Sequence, residues 1–239
     1  MIVQSEVRNL LLGAIPADQF REVAQQLEPI DMPKDYVLSA YDQAMPYAYF
    51  PDTGIGSVVY RTSEGQSAEA GLFGRDGFGP SAIAAQLDRS PCDIFMQVPG
   101  QGYRIEAEVL RDFMERSPVI QQLIQLSIYL QGVQTSHTAL SNAVHHVDVR
   151  LARWLLMCHD RWDSDEIPIT HEFIALMLAV RRPSVTTALH VLEGNLLIKA
   201  ERGFVTIRDR AGLEEFAADA YGAAEVECRR LLGIWPPSP

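Results

Sequence analysis

Residues 167–209 hold the pattern that most restricts the fold: two helix-forming segments, a short turn between them, and two strand-forming segments after them. Thr170 is a favourable N-cap for the first helix. The second helix is predicted from Arg182 to about Glu193, because Pro183 suits a first turn and apolar side chains recur at helical spacing after it. Helix, turn, helix and hairpin in this order predict a winged helix-turn-helix.

The end of the second helix and the hairpin follow from local residue types. Residues 194–195, Gly-Asn, predict a left-handed helix cap. Strands are predicted over 196–200 and 204–207, around a tight turn at 201–203 that contains a glycine. The polar residues 164–168, which precede the first helix, predict a loop.

Several side chains of the second helix face away from its apolar side. A helix N-terminus can enter the major groove of DNA, where arginine donates two hydrogen bonds to guanine and serine or threonine contacts phosphates or bases. The alternative is that the paired arginines only begin a solvated helix. Their position at the head of the second helix favours the DNA interpretation. The outward residues are Arg181, Arg182, Ser184, Thr187 and His190.

A second long pattern lies upstream, where Ser117 and Pro118 begin a helix that no proline interrupts before Val144. About 26 residues at 1.5 Å each give a helix of roughly 39 Å. Such a helix exceeds what one small domain needs, so its apolar stripe predicts pairing with the same helix of a second chain. The alternative is a helix buried within one domain. The stripe consists of Leu123, Leu126, Leu130, Val133, Leu140 and Val144.

The first part of the chain is β-rich. Residues 2–27 predict two short helices, and residues 30–105 alternate strand-forming runs with proline and glycine breaks, as in a sandwich or barrel. The dipeptide at 64–65, Glu-Gly, predicts a hairpin turn. A short helix is predicted over 109–114, and a further helix begins near residue 148.

Charge and cysteine content limit the classes of function. The 239 residues carry a net charge of −11, but residues 1–144 hold 9 basic and 17 acidic side chains, whereas 150–210 hold 9 and 8. The later segment is therefore able to approach an anion. The sequence has neither a membrane-length apolar run nor a signal-peptide pattern, and the scattered Cys92, Cys158 and Cys228 suit a reduced protein. We therefore expect a cytoplasmic protein.

The segment 170–193 resembles the DNA-binding helices of the cyclic-AMP receptor protein/Fnr (Crp–Fnr) superfamily of bacterial transcription regulators. The likeness runs without gaps through Thr170-His171-Glu172-Phe173 and Arg181-Arg182-Pro183-Ser184, and residues 150–156 resemble the start of that domain. The resemblance implies a homodimer whose two reading helices enter successive major grooves about 34 Å apart. The DNA contacts that we predict are Thr170, His171, Arg181, Arg182, Ser184 and Thr187, with Lys199 and Arg202 on the hairpin.

One residue departs from the best-known branch of that superfamily, in which a glutamate follows the arginine that matches Arg182. Here Pro183 follows it. The operator preferences of that branch therefore do not transfer to this chain.

The resemblance also implies a position for an effector, but the match is incomplete. Members that bind cyclic nucleotides hold the ribose with a Gly-Glu pair, and here Pro80 replaces the glutamate. Loss of that carboxylate costs about 1.5–3 kcal/mol, or more than tenfold in affinity. We therefore expect a different ligand or none. Alternatively, Arg89 is an exposed charge at a β-turn, and Thr135 and Ser136 belong to the ordinary surface of the helix or to the dimer seam. The matching positions are Gly79, Arg89, Ser90, Thr135 and Ser136.

The sequence predicts no metal, no cofactor and no enzyme. Three scattered cysteines cannot hold an iron–sulfur cluster, and no catalytic motif is found. His145, His146 and Asp148 suit a solvated hinge better than a metal site, because adjacent helical residues point about 100° apart. A further alternative is a small-molecule enzyme that uses a cavity in the β-rich first part of the chain.

We therefore predict an α+β chain with three parts: an N-terminal β-roll, or cyclic-nucleotide-binding-like jelly roll, over 1–116; a dimerisation helix and hinge over 117–146; and a winged helix-turn-helix with a C-terminal helix over 147–239. The expected partners are an operator in double-stranded DNA and a second copy of the chain through 117–144. RNA polymerase and a small-molecule effector are further candidates, and no membrane contact is expected. The alternative function is a ligand-binding or protein-interaction module whose winged helix does not bind DNA.

Overall fold

The computed structural model describes residues 2–233. The proline-rich tail noted in the sequence at 236–239 lies outside these residues. Contacts divide the chain into two compact units, Met1–Tyr60 with Gly71–Gly132, and Arg61–Ala70 with Val133–Pro239.

Before residue 107 the chain is mainly β-structure, as predicted. The two expected short helices are α1 (Leu10–Gly13) and α2 (Ala17–Val23), and buried Asn9 caps α1 by accepting hydrogen bonds from the amides of Leu11 and Leu12. The strands are β1 (Glu28–Met32), β2 (Val37–Ser39), β3 (Tyr47–Pro51), β4 (Ile55–Arg61), β5 (Ser67–Phe73), β6 (Asp93–Val98) and β7 (Gly100–Glu106).

These strands form two sheets. One has the order β1-β7-β3 and the other β2-β6-β4-β5. Gly65 adopts a left-handed φ of 84° between β4 and β5, which fits the hairpin turn predicted there. The apolar core of the first unit joins α1 and α2 to Phe50 and Ile105 of the sheet and to Ile120 and Ile124 of the long helix.

Two helices follow the sheets, α3 (Ala107–Arg116) and α4 (Pro118–Val144). The predicted short helix over 109–114 is thus longer at both ends. The Ser117 hydroxyl accepts a hydrogen bond from the Ile120 amide at 3.2 Å, which caps the start of α4. The 27 residues of α4 span about 40 Å.

The second unit contains the helix-turn-helix. Its elements are α5 (Val147–His159), β8 (Glu166–Ile167), α6 (His171–Met177), α7 (Arg182–Gly194), β9 (Ile198–Glu201), β10 (Phe204–Ile207), α8 (Arg210–Ala217) and α9 (Ala223–Leu232). The core of this unit is the fully buried side of α5, with Leu151, Leu155 and Leu156, which packs between α7 and α8.

The sequence interpretation was wrong at two places in this unit. The left-handed residue after α7 is Leu196, with a φ of 61°, whereas Asn195 has a φ of −87° and Gly194 ends the helix. Asn195 instead donates its side-chain amide to the Val191 carbonyl at 2.8 Å and so stays bonded to the last turn of α7, and β9 begins at Ile198. Residues 166–167, expected in a loop, form β8 because Val205 and Thr206 of β10 pair with them.

Among residues 2–233, no helix is long and apolar enough to cross a membrane.

Candidate nucleic-acid interface

The first helix of the pair is fixed at both ends. The Thr170 hydroxyl accepts a hydrogen bond from the Phe173 amide at 3.2 Å and so caps α6, as the sequence predicts. At the other end, the guanidinium of Arg150 donates to the Leu178 carbonyl. Ala179 then takes a left-handed φ of 50°, which turns the chain toward α7.

Arg150 is a contributor that the site prediction did not include. It lies on α5, 28 residues before the carbonyl that it binds, and burial lowers the pKa of its guanidinium. Its bond to the Leu178 carbonyl stabilises the turn between α6 and α7. Only the match of residues 150–156 to the start of a DNA-binding domain marked it in the sequence.

The second helix, α7, presents its N-terminus outward. Arg181 is its N-cap residue, and its side chain makes no capping hydrogen bond. Arg181 and Arg182 are both exposed. The positive end of the helix dipole and two guanidinium groups therefore lie at the same end of α7, an arrangement that attracts an anion.

The two sides of α7 differ sharply in burial. Val185, Ala188, Leu189 and Leu192 are at most 3% exposed and pack into the domain. On the opposite side, Pro183, Thr187 and His190 are exposed, and Ser184 is half-buried. The four inward residues expected from the sequence are thus the buried ones, and the predicted reading residues remain accessible.

A cleft of about 530 Å³ joins the start of α6, the start of α7 and the turn between β9 and β10. It brings together four predicted contact residues from three separate elements. Two carboxylates, Glu172 and Glu201, line it as well. The four predicted residues in this cleft are Thr170, His171, Arg182 and Arg202.

The two carboxylates are residues that sequence reasoning did not include, because it selected cations and hydroxyl groups. Each stands next to a selected residue, Glu172 beside His171 and Glu201 beside Arg202. Lys199, predicted as a wing contact, forms an ion pair with Glu201 at 2.8 Å. The lysine is therefore already partly neutralised in the free protein.

A buried polar cluster holds the helices behind the interface. The Asp160 carboxylate, on a residue that is 2% exposed, accepts hydrogen bonds from Arg210 at 2.6 Å and from the Tyr221 hydroxyl at 2.8 Å. Arg210 also contacts the Nδ1 atom of His159 at 2.8 Å. Burial alone would lower the pKa of Arg210, but the negative charge of Asp160 and its hydrogen bond outweigh burial and raise that pKa. Burial and Asp160 raise the pKa of Tyr221.

The predicted effector residues are in different surroundings. Gly79 is buried, and an added Cβ there would lie 2.6 Å from the Phe73 ring, so that ring fills the adjacent space. Arg89 is exposed and donates to the Asp42 carbonyl at 2.6 Å. The buried Ser90 hydroxyl donates to the Cys92 carbonyl at 2.6 Å.

The other two effector positions, Thr135 and Ser136, fall in the second unit, on α4. Thr135 is half-buried and Ser136 is exposed. The structure thus does not gather the five predicted effector residues within one compact unit.

Comparisons with known proteins place this interface in context. Residues 149–216 match the family model of the Crp-like helix-turn-helix domain. Among the curated proteins, none matches the chain. The predicted winged helix-turn-helix is therefore confirmed for the segment that contains the cleft.

Similar solved structures cover most of the chain. FixK2 from Bradyrhizobium japonicum aligns with a TM-score of 0.69 at 14% identity, covering 80% of this chain and 98% of its own. A transcriptional regulator of the CRP family from Thermus thermophilus aligns with a TM-score of 0.65 at 17% identity. The alignment covers 79% of this chain and 96% of that regulator. The c-di-GMP-responsive global regulator CLP from Xanthomonas campestris aligns with a TM-score of 0.64 at 16% identity. The alignment covers 80% of this chain and 99% of CLP. These likenesses establish the fold and confirm the predicted fold class.

Proposed function

We propose that the chain is a DNA-binding transcription regulator of the Crp–Fnr superfamily, an assignment that its helix-turn-helix domain and its fold support. We further propose that it acts as a homodimer on a near-palindromic operator. In this proposal α7 reads bases in the major groove. The N-terminal roll senses a ligand or partner and biases the orientation of the two DNA-binding domains.

The observation that carries the proposal is the accessible N-terminus of α7. Arg181 and Arg182 are exposed there, and Arg182 shares a cleft with Arg202 of the β-hairpin and with Thr170. A helix end in the major groove and a hairpin beside it contact bases and phosphates respectively in proteins of this architecture. Thr170, Arg182 and Arg202 belong to three different elements that line one cleft, so we infer that one duplex contacts them together.

The acidic total charge of −11 favours the rival function, a module that does not bind DNA. The position of the charge weakens that argument. Within 150–210 the basic and acidic side chains nearly balance, and Asp160 is buried against Arg210. The surface near α7 therefore carries less negative charge than the total suggests.

Salt dependence distinguishes the two functions. If each protomer of a dimer neutralises about two phosphates, affinity for a duplex should fall roughly 100-fold between about 50 and 200 mM salt, because bound counterions are released. The measurement is fluorescence anisotropy of a labelled duplex selected from a random pool by the full-length protein. Failure of the pool to enrich, or an affinity that salt leaves unchanged, would support the rival.

The proposed dimer rests on the accessible apolar side of α4. Within one chain, Leu140 and Val144 are 54% and 61% exposed, and Leu126, Leu130 and Val133 are only half-buried. A helix of about 40 Å with such a side has room to pair with its copy along two-fold symmetry. The pairing would set the spacing between the two α7 helices.

Leu140→Asp should weaken the dimer about 100-fold or more, because two carboxylates would be forced together in an apolar seam. Sedimentation equilibrium measures this as a shift from twice the chain mass of 26.6 kDa toward that mass itself. Leu196→Asp is the matched control, since Leu196 is 71% exposed and lies off α4. An unchanged dimer in Leu140→Asp would show that α4 is not the seam.

The connection between α4 and α5 is the proposed hinge. Only His145 and His146 separate Val144 from Val147. The His145 ring contacts Ser141 at 3.1 Å and Asp219 at 3.2 Å. A ligand controls such a hinge only if it binds two orientations with different affinity. Operator binding that no cell extract alters would argue against this part of the proposal.

A further inference from the structure

We propose that Thr187 and Pro183 of α7 select a thymine in each half-site by packing against its 5-methyl group. The inference rests on the proposed DNA-binding function and names a chemical determinant of operator choice. It follows from the apolar character of the centre of the outward side of α7.

The first observation is the position of the two residues on α7. Residues four apart on a helix are neighbours on one side, so Pro183 and Thr187 stand together. Both are exposed. The buried residues Val185, Leu189 and Leu192 define the opposite side of the same helix. Pro183 and Thr187 therefore occupy the part of α7 that would enter deepest into a groove.

The second observation is the hydrogen bond that the Thr187 hydroxyl makes. Its hydroxyl donates to the Pro183 carbonyl at 3.1 Å, within α7 itself. The proton of that hydroxyl is thus used by the helix backbone. The methyl group on Cβ and the pyrrolidine ring of Pro183 remain to meet a ligand, and both are apolar.

The major groove offers one apolar group, the 5-methyl group of thymine. An apolar centre on a reading helix therefore matches thymine better than it matches the polar edges of the other bases. Thr187 lies five residues after Arg182, about 7.5 Å along the helix, which corresponds to about two base pairs. The expected half-site has a guanine at Arg182 and, about two base pairs away, the selected thymine.

The experiment first selects a duplex from a random pool with the full-length protein. A pool that yields no enriched sequence would refute the proposed function and not this inference specifically. In the enriched duplex, each thymine is then replaced by deoxyuridine, which removes one methyl group and keeps the base pairing. Affinity is measured by fluorescence anisotropy.

We expect a single deoxyuridine, at the selected thymine of either half-site, to weaken binding about fourfold, the factor that corresponds to one buried methyl group. Thr187→Ser, which changes both protomers of the dimer, should weaken binding to the unmodified duplex by about the square of that factor, roughly 16-fold. It should also reduce the response to deoxyuridine there, because only the contact with Pro183 remains. Thr187→Val, which keeps a methyl group and lacks the hydroxyl, should bind like the natural protein.

The control is Thr138→Ser on α4, where the threonine hydroxyl makes the same kind of bond to the carbonyl four residues earlier, Gln134, at 2.9 Å. This variant should respond to deoxyuridine like the natural protein. The inference is overturned if no thymine responds to deoxyuridine, if Thr187→Ser responds as the natural protein does, or if Thr187→Val loses affinity as Thr187→Ser does.

Discussion

Arg210→Ala should lower the free energy of unfolding of the second unit by about 3–5 kcal/mol. The substitution leaves the Asp160 carboxylate, on a residue that is 2% exposed, without the guanidinium that now lies 2.6 Å away. A buried charge without its partner costs more than the pair contributes when intact. The expected loss is large because the Arg210 side chain itself is only 18% exposed.

Urea denaturation followed by tryptophan fluorescence measures this effect, because all three tryptophans, Trp154, Trp162 and Trp235, lie in the second half of the sequence. The matched control is Arg230→Ala. Arg230 pairs with Glu227 at 2.7 Å, but its side chain is 63% exposed. Exposed pairs contribute about 0–1 kcal/mol. Equal losses in the two variants would contradict the structural role that we assign to the cluster around Asp160.

Arg182→Ala should weaken binding to the selected operator by about 1–3 kcal/mol, roughly 5- to 150-fold, and change binding to random DNA much less. Arg182 is exposed at the first position of α7, where a guanidinium can donate two hydrogen bonds to one guanine. Removal of such a contact relaxes specificity at a single base pair.

The control for this prediction is Arg21→Ala, which removes a cation that is exposed on α2 in the first unit. Competition between the operator and random DNA measures specificity for each variant. If Arg182→Ala lowers the affinity for operator and random DNA by the same factor, Arg182 contacts phosphate and not a base.

Local chemistry made the helix-turn-helix predictable from the sequence. The Thr170 hydroxyl caps α6 within three residues, and Pro183 occupies the first turn of α7. The wing turns at Gly203, whose φ of 91° is left-handed. Each of these features depends on neighbours a few residues away, which is the range over which a single sequence is informative.

Features that depend on distant partners were not predictable in the same way. β8 exists because residues about 40 positions later pair with it. Asp160 finds Arg210 and Tyr221 at separations of 50 and 61 residues. Arg89, predicted to hold an effector, donates to the Asp42 carbonyl, 47 residues before it, a contact that its sequence neighbours do not indicate. Only the folded chain shows which of these charges are already satisfied.

Arg182 is the residue on which the account of DNA reading depends most. Methylation protection by dimethyl sulfate tests its position directly, because the reagent modifies the N7 atom of guanine in the major groove. If Arg182 reads a guanine in each half-site, two patches of protected guanines lie about 34 Å apart in the selected operator, and one guanine in each patch loses its protection in Arg182→Ala. Bound operator whose guanines stay reactive, or a pattern that Arg182→Ala leaves intact, would contradict this role of Arg182.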